Sequence, residues 1–250
     1  MNSLDLTPDG IAVVTLGNPP VNALDAPLLE ELTGLFERLG AEAAVRAAVI
    51  TGHGRAFSAG LDLKTVPELD RLGQRHLVGA MNDCFGTLYG WPKPLVAAVN
   101  GHAIAGGLIL ALCADWRVVA DVPLEAALAE VRVGVTYPVA PIEIARAELA
   151  PAVARRLVLL GEALDAEKAE TLAVFDERVP ADQLLQRALE RARRHADLPP
   201  QALATTKRDL RVVALGRITQ ARAGRGEPRL SAWLGEEMRR AAAAVLRRAA

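Results

Sequence analysis

Four short apolar runs, each closing in a turn and followed by a helical pattern, constrain this chain more than any other feature. The first, "IAVVTL" at 11–16, is β-branched and ends in "GNPP". "VRAAVITG" at 45–52, "KPLVAAVNG" at 93–101 and "WRVVAD" at 116–121 repeat the design. A run with no polar alternation reads as a strand buried on both faces. Between the runs lie helical patterns. In "DAPLLEELTGLFERLG", Asp25 is placed to cap, Leu28, Leu32, Leu35, Phe36 and Leu39 keep helical spacing, and Gly40 marks the stop. A helical region reaching about residue 90 and then "GGLILALCAD" follow the next two strands. Pro151 opens a further helix that Gly161 closes, and another begins at Asp165. Strand and helix alternate through about 180 residues, which predicts an α/β core. From about 181 the pattern is helical only, with a break at "GRGEP" (224–228). The sequence contains no internal repeat and no low-complexity linker.

Composition narrows the function classes. The 250 residues carry 29 basic and 30 acidic side chains, a balance that argues against a charge-driven nucleic-acid binder. Arginine does crowd into "RALERARRH" and "RRAAAAVLRR", which read as solvated helix faces or as contacts to an anionic ligand or a neighbouring subunit. Cys84 and Cys113 lie far apart in apolar settings, which suggests neither metal nor disulfide and fits a reducing cytoplasm. The opening "MNSLDLTPDG" has no basic segment followed by an apolar one, so it does not read as a signal peptide. Residues 95–114 form an apolar window near membrane-span length, but Asn100, His102 and Gly101, Gly106 and Gly107 interrupt it, and a strand, turn and helix explain it better. His53, His76, His102 and His195 show no ligand spacing. No metal site is expected.

Two glycine turns stand out, each at the C-terminal end of an apolar strand. In "AFSAGLD", Gly60 permits a backbone conformation closed to other residues and turns the Leu61 N–H outward. In "AIAGGLI", Gly106 and Gly107 fall where a helix begins, so their amides belong to the unpaired donors of a helix N-terminus. Two such donors aimed at one point form an oxyanion hole. Ordinary βα turns account equally well for either motif taken alone.

The order of motifs resolves this. "NPPVNAL", "TGHGRAFSAGLDLK", "KPLVAAVNGHAIAGGLILALCADWRV", "AEVRVGV" and "PAVARRLVLLGEALDAEKA" through "FDERV" resemble, in order and spacing, the crotonase (enoyl-CoA hydratase/isomerase) superfamily over about residues 10–180. Beyond that stretch the likeness is confined to helical character and "WLGEEM". The resemblance implies a crotonase-like ββα spiral core over 1–190 and a helical C-terminal trimerisation region over 191–250. It implies homotrimers commonly paired into hexamers, a coenzyme A thioester as substrate, and no permanently bound cofactor. The Leu61 and Gly106 N–H groups would receive the thioester oxygen. Arg55, Phe57, Ser58, Ala59, Gly60, Asp62, Leu63 and Lys64 would lie along the coenzyme A, chiefly through backbone atoms. No nucleic-acid or membrane partner is expected, and the expected location is cytoplasmic.

Family chemistry turns on carboxylates. By the same resemblance, hydratases carry one glutamate three residues after the oxyanion glycine and a second after the next strand. Here the first position is Ile109 and the second is Glu130. Hydration uses two carboxylates well, whereas moving a double bond needs one base. The spacing of Glu130, Gly134 and Pro138, with Asp115-Trp116-Arg117 closing the preceding helix, is similar to mitochondrial-type Δ3,Δ2-enoyl-CoA isomerases. The expected reaction is therefore 3-enoyl-CoA to 2-enoyl-CoA through Glu130, with hydration or non-catalytic acyl-CoA binding as alternatives. The alanines, leucine and valine around Glu130 should raise its pKa. Glu125 and Glu143 are reserve carboxylates, and Tyr137 and His102 are candidates for contact with the acyl chain or thioester.

Overall fold

The computed structural model describes residues 2–62 and 65–224. Leu63, Lys64, most of the "GRGEP" break and the "WLGEEM" segment therefore lie outside the described residues.

The ten strands are β1 (Ser3–Leu6), β2 (Ile11–Leu16), β3 (Ala47–Gly52), β4 (Ala56–Ser58), β5 (Leu95–Val99), β6 (His102–Ile104), β7 (Trp116–Ala120), β8 (Ala126–Ala127), β9 (Ala163–Leu164) and β10 (Glu177–Val179) among the described residues. They form a six-stranded sheet, ordered β1-β2-β3-β5-β7-β10, and a four-stranded one, ordered β4-β6-β8-β9. All four expected apolar strands lie in the larger sheet, where β2, β3, β5 and β7 pair in parallel. Their alternate residues serve two cores. Ala12, Val14 and Leu16 join the main core, and Ile11 and Val13 join a second one on the opposite face. Both faces are covered, so alternation with polar residues is lost.

The helices are α1 (Ala26–Ala41), α2 (Arg71–Tyr89), α3 (Gly106–Leu112), α4 (Val139–Glu148), α5 (Pro151–Ala154), α6 (Ala166–Thr171), α7 (Leu184–Ala196), α8 (Pro200–Leu210) and α9 (Val212–Arg222). Asp25 caps α1 by accepting from the Leu28 N–H at 2.8 Å, as its position predicts, and the helix runs one residue past Gly40. Asp165 caps α6 in the same way. Pro151 opens α5, which continues as a π-helical turn over Arg155–Leu159 before Gly161 turns the chain with φ +61°.

The chain repeats one unit: a strand for the large sheet, a short strand for the small sheet, then a helix. β3–β4–α2, β5–β6–α3 and β7–β8–α4 are three such turns, the expected ββα spiral. Every residue of α3 is buried, so the run "LILAL" has no room for a charge. Helix α7 runs through position 190 and lays Leu184, Ala188 and Ala192 on the second core. No described helix is long and apolar enough to cross a membrane.

A buried ionic cluster ties α8 and α9 to the spiral. Asp115 meets Lys207 at 2.8 Å and Arg211 at 3.2 Å. Arg211 also donates to the Tyr89 carbonyl at 2.8 Å and stacks on that ring at 4.1 Å. Arg117, two residues beyond Asp115, pairs with Glu148 and Asp176. Removing one member leaves opposite charges buried and unmatched, so Arg211→Ala should cost about 3 kcal/mol. Urea unfolding at pH 7 measures this; an unchanged midpoint would show the cluster to be energetically idle.

Candidate active site

The small sheet is what assembles the site. β4, β6 and β8 run parallel and side by side, and the chain leaving each carries one of the expected residues: Leu61, Gly106 and Glu130. Three positions spread over 70 residues of sequence thereby reach one end of one sheet.

The first turn is braced from within. Asn22, fully buried, donates to the carbonyls of His53, Ala56 and Phe57 at 2.8–3.2 Å. Ser58 donates its hydroxyl to the Asn22 carbonyl at 2.7 Å and accepts from the Gly60 N–H at 3.2 Å. The Leu24 N–H donates to the Gly60 carbonyl and the Asp62 N–H to the Leu24 carbonyl. The Leu61 N–H lies between these two bonds and donates to no acceptor among the described residues. Asn100 does similar work one layer out: its Oδ1 accepts from the Gly52 N–H at 3.0 Å, and its Nδ2 donates to the Gly54 carbonyl at 2.9 Å. Sequence reasoning gave Asn22 and Asn100 no role. Their positions in "NPPVNAL" and "AVNG" are the only signal.

The second turn abuts the first. Ala105 holds φ +52° at the N-terminus of α3, leaving the Gly106 N–H without an acceptor among the described residues. A methyl group added at Gly60, whose φ is +77°, would sit 2.7 Å from the Ile104 carbonyl oxygen and 3.1 Å from the Gly106 nitrogen. One added at Gly107 would meet the Ser58 carbonyl oxygen at 2.2 Å. The glycines thus let two backbones touch, bringing two uncommitted amides side by side at a helix start, where a developing oxyanion is stabilised.

Glu130 reaches the same place through β8. The Ala105 N–H, one residue before Gly106, donates to the Ala127 carbonyl at 2.7 Å. The chain then makes a 3₁₀ turn over Glu130–Val133, which Gly134 ends at φ +66°. Pro138 precedes α4, so the glycine and proline spacing after Glu130 is that of a turn and a helix start. As a residue Glu130 is half-buried, but its Oε2 is sequestered and has no hydrogen-bond partner. Burial pushes its pKa from 4.5 up to about 7, against a smaller opposing pull from the Tyr137 hydroxyl.

That shift has a stability consequence of definite sign. Below about pH 4.5 the carboxyl is protonated folded or unfolded and contributes nothing; between 4.5 and 7 the unfolded state ionises first, and the folded state loses ground until the loss levels off above 7. Glu130→Gln should therefore stabilise the fold by about 3 kcal/mol at pH 8 and by almost nothing at pH 4. Thermal melts of both proteins at the two pH values check this, and a gain equal at both would refute the titration.

The remaining expected residues are dispersed. Phe57, Ser58 and Gly60 are buried, Ala59 and Asp62 half-buried, and Arg55 exposed. Ile109 is fully buried in α3. Glu125 is exposed. Glu143 is spoken for by Arg146 at 2.7 Å and Arg217 at 2.8 Å. His102 stands at the start of β6, the end away from Gly106, where its Nδ1 accepts from the Glu125 N–H. Tyr137 is buried and donates its hydroxyl to the carbonyl of Leu128, two residues before Glu130, at 3.1 Å. The described residues hold no group of three or more His, Cys, Asp or Glu arranged for a metal ion.

Known proteins resemble this chain in sequence and in fold. The enoyl-CoA hydratase/isomerase family matches residues 7–226. Among curated relatives, a protein of Mycobacterium tuberculosis named probable enoyl-CoA hydratase EchA17 is 35% identical over 208 residues, 79% of this chain and 76% of the relative. Human mitochondrial Δ3-Δ2-enoyl-CoA isomerase superposes with a TM-score of 0.92 at 26% identity, covering 99% of this chain and 97% of the other. An enoyl-CoA isomerase of Mycobacterium tuberculosis superposes at 0.79 with 33% identity, covering 89% and 96%.

Proposed function

This chain belongs to the enoyl-CoA hydratase/isomerase family, and from that premise we propose that it moves the double bond of a 3-enoyl-CoA to the 2-position through Glu130. The observation that carries the reading is the carboxylate inventory: one sequestered carboxyl with an unpartnered Oε2 on the chain leaving the strand next to the second glycine turn, and a buried isoleucine at 109. The thioester oxygen would accept from the Leu61 and Gly106 N–H groups. Glu130 takes a proton from C2 and becomes a neutral acid, while the electrons pass into a dienolate whose charge rests on that oxygen. The acid then returns the proton to C4, which leaves the double bond between C2 and C3. A base that must also act as an acid works best with a pKa near the working pH, and about 7 meets that condition. The segment from Arg55 to Lys64, which continues into the first turn, would receive the coenzyme A.

Incubation with 3-hexenoyl-CoA, followed by the absorbance of the conjugated thioester, tests the reading. The expected result is conjugation that rises with pH along a single ascending limb centred near pH 7. Absence of conjugation would sink it. A second reading, hydration of a 2-enoyl-CoA, has the hydratase name of the curated relatives in its favour. Hydration of crotonyl-CoA faster than isomerisation of 3-hexenoyl-CoA would select it. Tight coenzyme A binding without turnover of either substrate would leave the non-catalytic alternative.

A further inference from the structure

One hydroxyl touches both sides of the first glycine turn. Ser58 is fully buried, and its Oγ is used twice within the protein: it donates to the Asn22 carbonyl at 2.7 Å and accepts from the Gly60 N–H at 3.2 Å. The resemblance sets this residue along the coenzyme A, yet its side chain has no exposed surface to offer a ligand. Asn22 holds φ +51°, a left-handed conformation that asparagine tolerates better than most residues. The segment around it lies alongside the turn. The Ala59 N–H donates to the Val21 carbonyl at 2.9 Å, the Leu24 N–H to the Gly60 carbonyl at 2.8 Å, and the Asp62 N–H to the Leu24 carbonyl at 3.4 Å.

The direction of the Leu61 N–H follows from these bonds. It shares a peptide plane with the Gly60 carbonyl, and in a trans peptide the two groups point opposite ways. The Leu24 N–H draws that carbonyl toward residues 21–24, so the Leu61 N–H is aimed away from them. Gly60 itself adds little restraint, since it lacks a Cβ.

We propose that Ser58 is a positioning residue for the Leu61 amide. Its hydroxyl ties residues 22–24 to the turn on one side and holds the peptide before Gly60 on the other. The Leu61 N–H is then already aimed when a thioester oxygen arrives. The inference rests on the two amides receiving that oxygen, and it applies to isomerisation and hydration alike. An oxyanion donor stabilises a transition state most when it needs no reorientation as charge develops. In Ser58→Ala the Gly60 N–H and the Asn22 carbonyl lose their shared partner, and the plane carrying the Leu61 N–H gains freedom about the torsions of Gly60.

Hexanoyl-CoA, isotope-labelled at the thioester carbonyl, has no double bond to move or hydrate and reports the donors without turnover. Bound to the parent, its infrared carbonyl band should lie below that of the free ligand. In Ser58→Ala the band should broaden and move back toward the free position. With 3-hexenoyl-CoA, kcat should fall by about 10- to 100-fold while KM stays within a few-fold. Ser58→Cys keeps a weaker donor and acceptor at the same place and should lie between the two in both readouts. It carries the comparison if the alanine variant does not fold. A serine that only supports the fold would lower the melting temperature and leave band and kcat at parental values, and that result overturns the proposal. A parental band no lower than that of free hexanoyl-CoA overturns it together with the oxyanion role of the amides. A displaced band in Ser58→Ala, in a protein that hydrates crotonyl-CoA but does not isomerise 3-hexenoyl-CoA, upholds the positioning role and sinks the isomerase reading alone.

Discussion

Glu130→Gln should lower kcat for 3-hexenoyl-CoA isomerisation by roughly 10²- to 10⁴-fold, the usual contribution of a positioned acid–base group. Glutamine keeps the size and much of the polarity of the side chain, so substrate binding should change little and KM should stay within a few-fold. The loss would lie in the step that moves the proton, because the other carboxyls near in sequence are badly placed to substitute. Glu125 is exposed, and Glu143 is held between two arginines. The same variant should be more stable than the parent at pH 8. A less active but more stable protein is the signature of a carboxylate kept in an unfavourable setting for its chemistry. Full activity in Glu130→Gln would remove the residue from the mechanism.

Gly60→Ala should have an effect of similar size through the backbone. A Cβ there meets the Ile104 carbonyl and the Gly106 nitrogen at separations that only movement can relieve, and φ +77° is itself unfavourable for alanine. The contacts are with main-chain atoms and with the Ala105 Cβ at 2.9 Å, none of which can swing aside. The two turns must part, which would carry the amides of Leu61 and Gly106 away from each other. Loss of one oxyanion donor costs about 10²- to 10³-fold in kcat in other enzymes. The measurement is kcat for 3-hexenoyl-CoA well below the melting temperature of the variant, with circular dichroism confirming the fold. A folded Gly60→Ala protein with parental kcat would show that the two amides do not serve the reaction.

Both predictions depend on features that were unequally visible in the sequence. The large sheet could be read because β2, β3, β5 and β7 are apolar throughout and their helices carry caps such as Asp25 and Asp165. β1 could not: its four residues are polar or exposed, and it belongs to the sheet by main-chain pairing with β2 at the edge. The small sheet could not be read either, because strands of two or three residues are too short to show a period. Yet that sheet places the site. The identity of Glu130 came from a resemblance, not from a period or a cap.

The sequence by itself determined the alternation of strand and helix in the core, the two glycine turns and the absence of a carboxylate at 109, since these depend on residue type and local spacing. Only the tertiary structure decided that Gly60 touches the second turn, that Arg211 and Lys207 converge on Asp115, and that Oε2 of Glu130 is sequestered. The physical reason is range. Hydrophobic period and turn chemistry act over a few neighbouring residues, whereas desolvation of a carboxyl and the meeting of two amides exist only once distant segments are packed side by side.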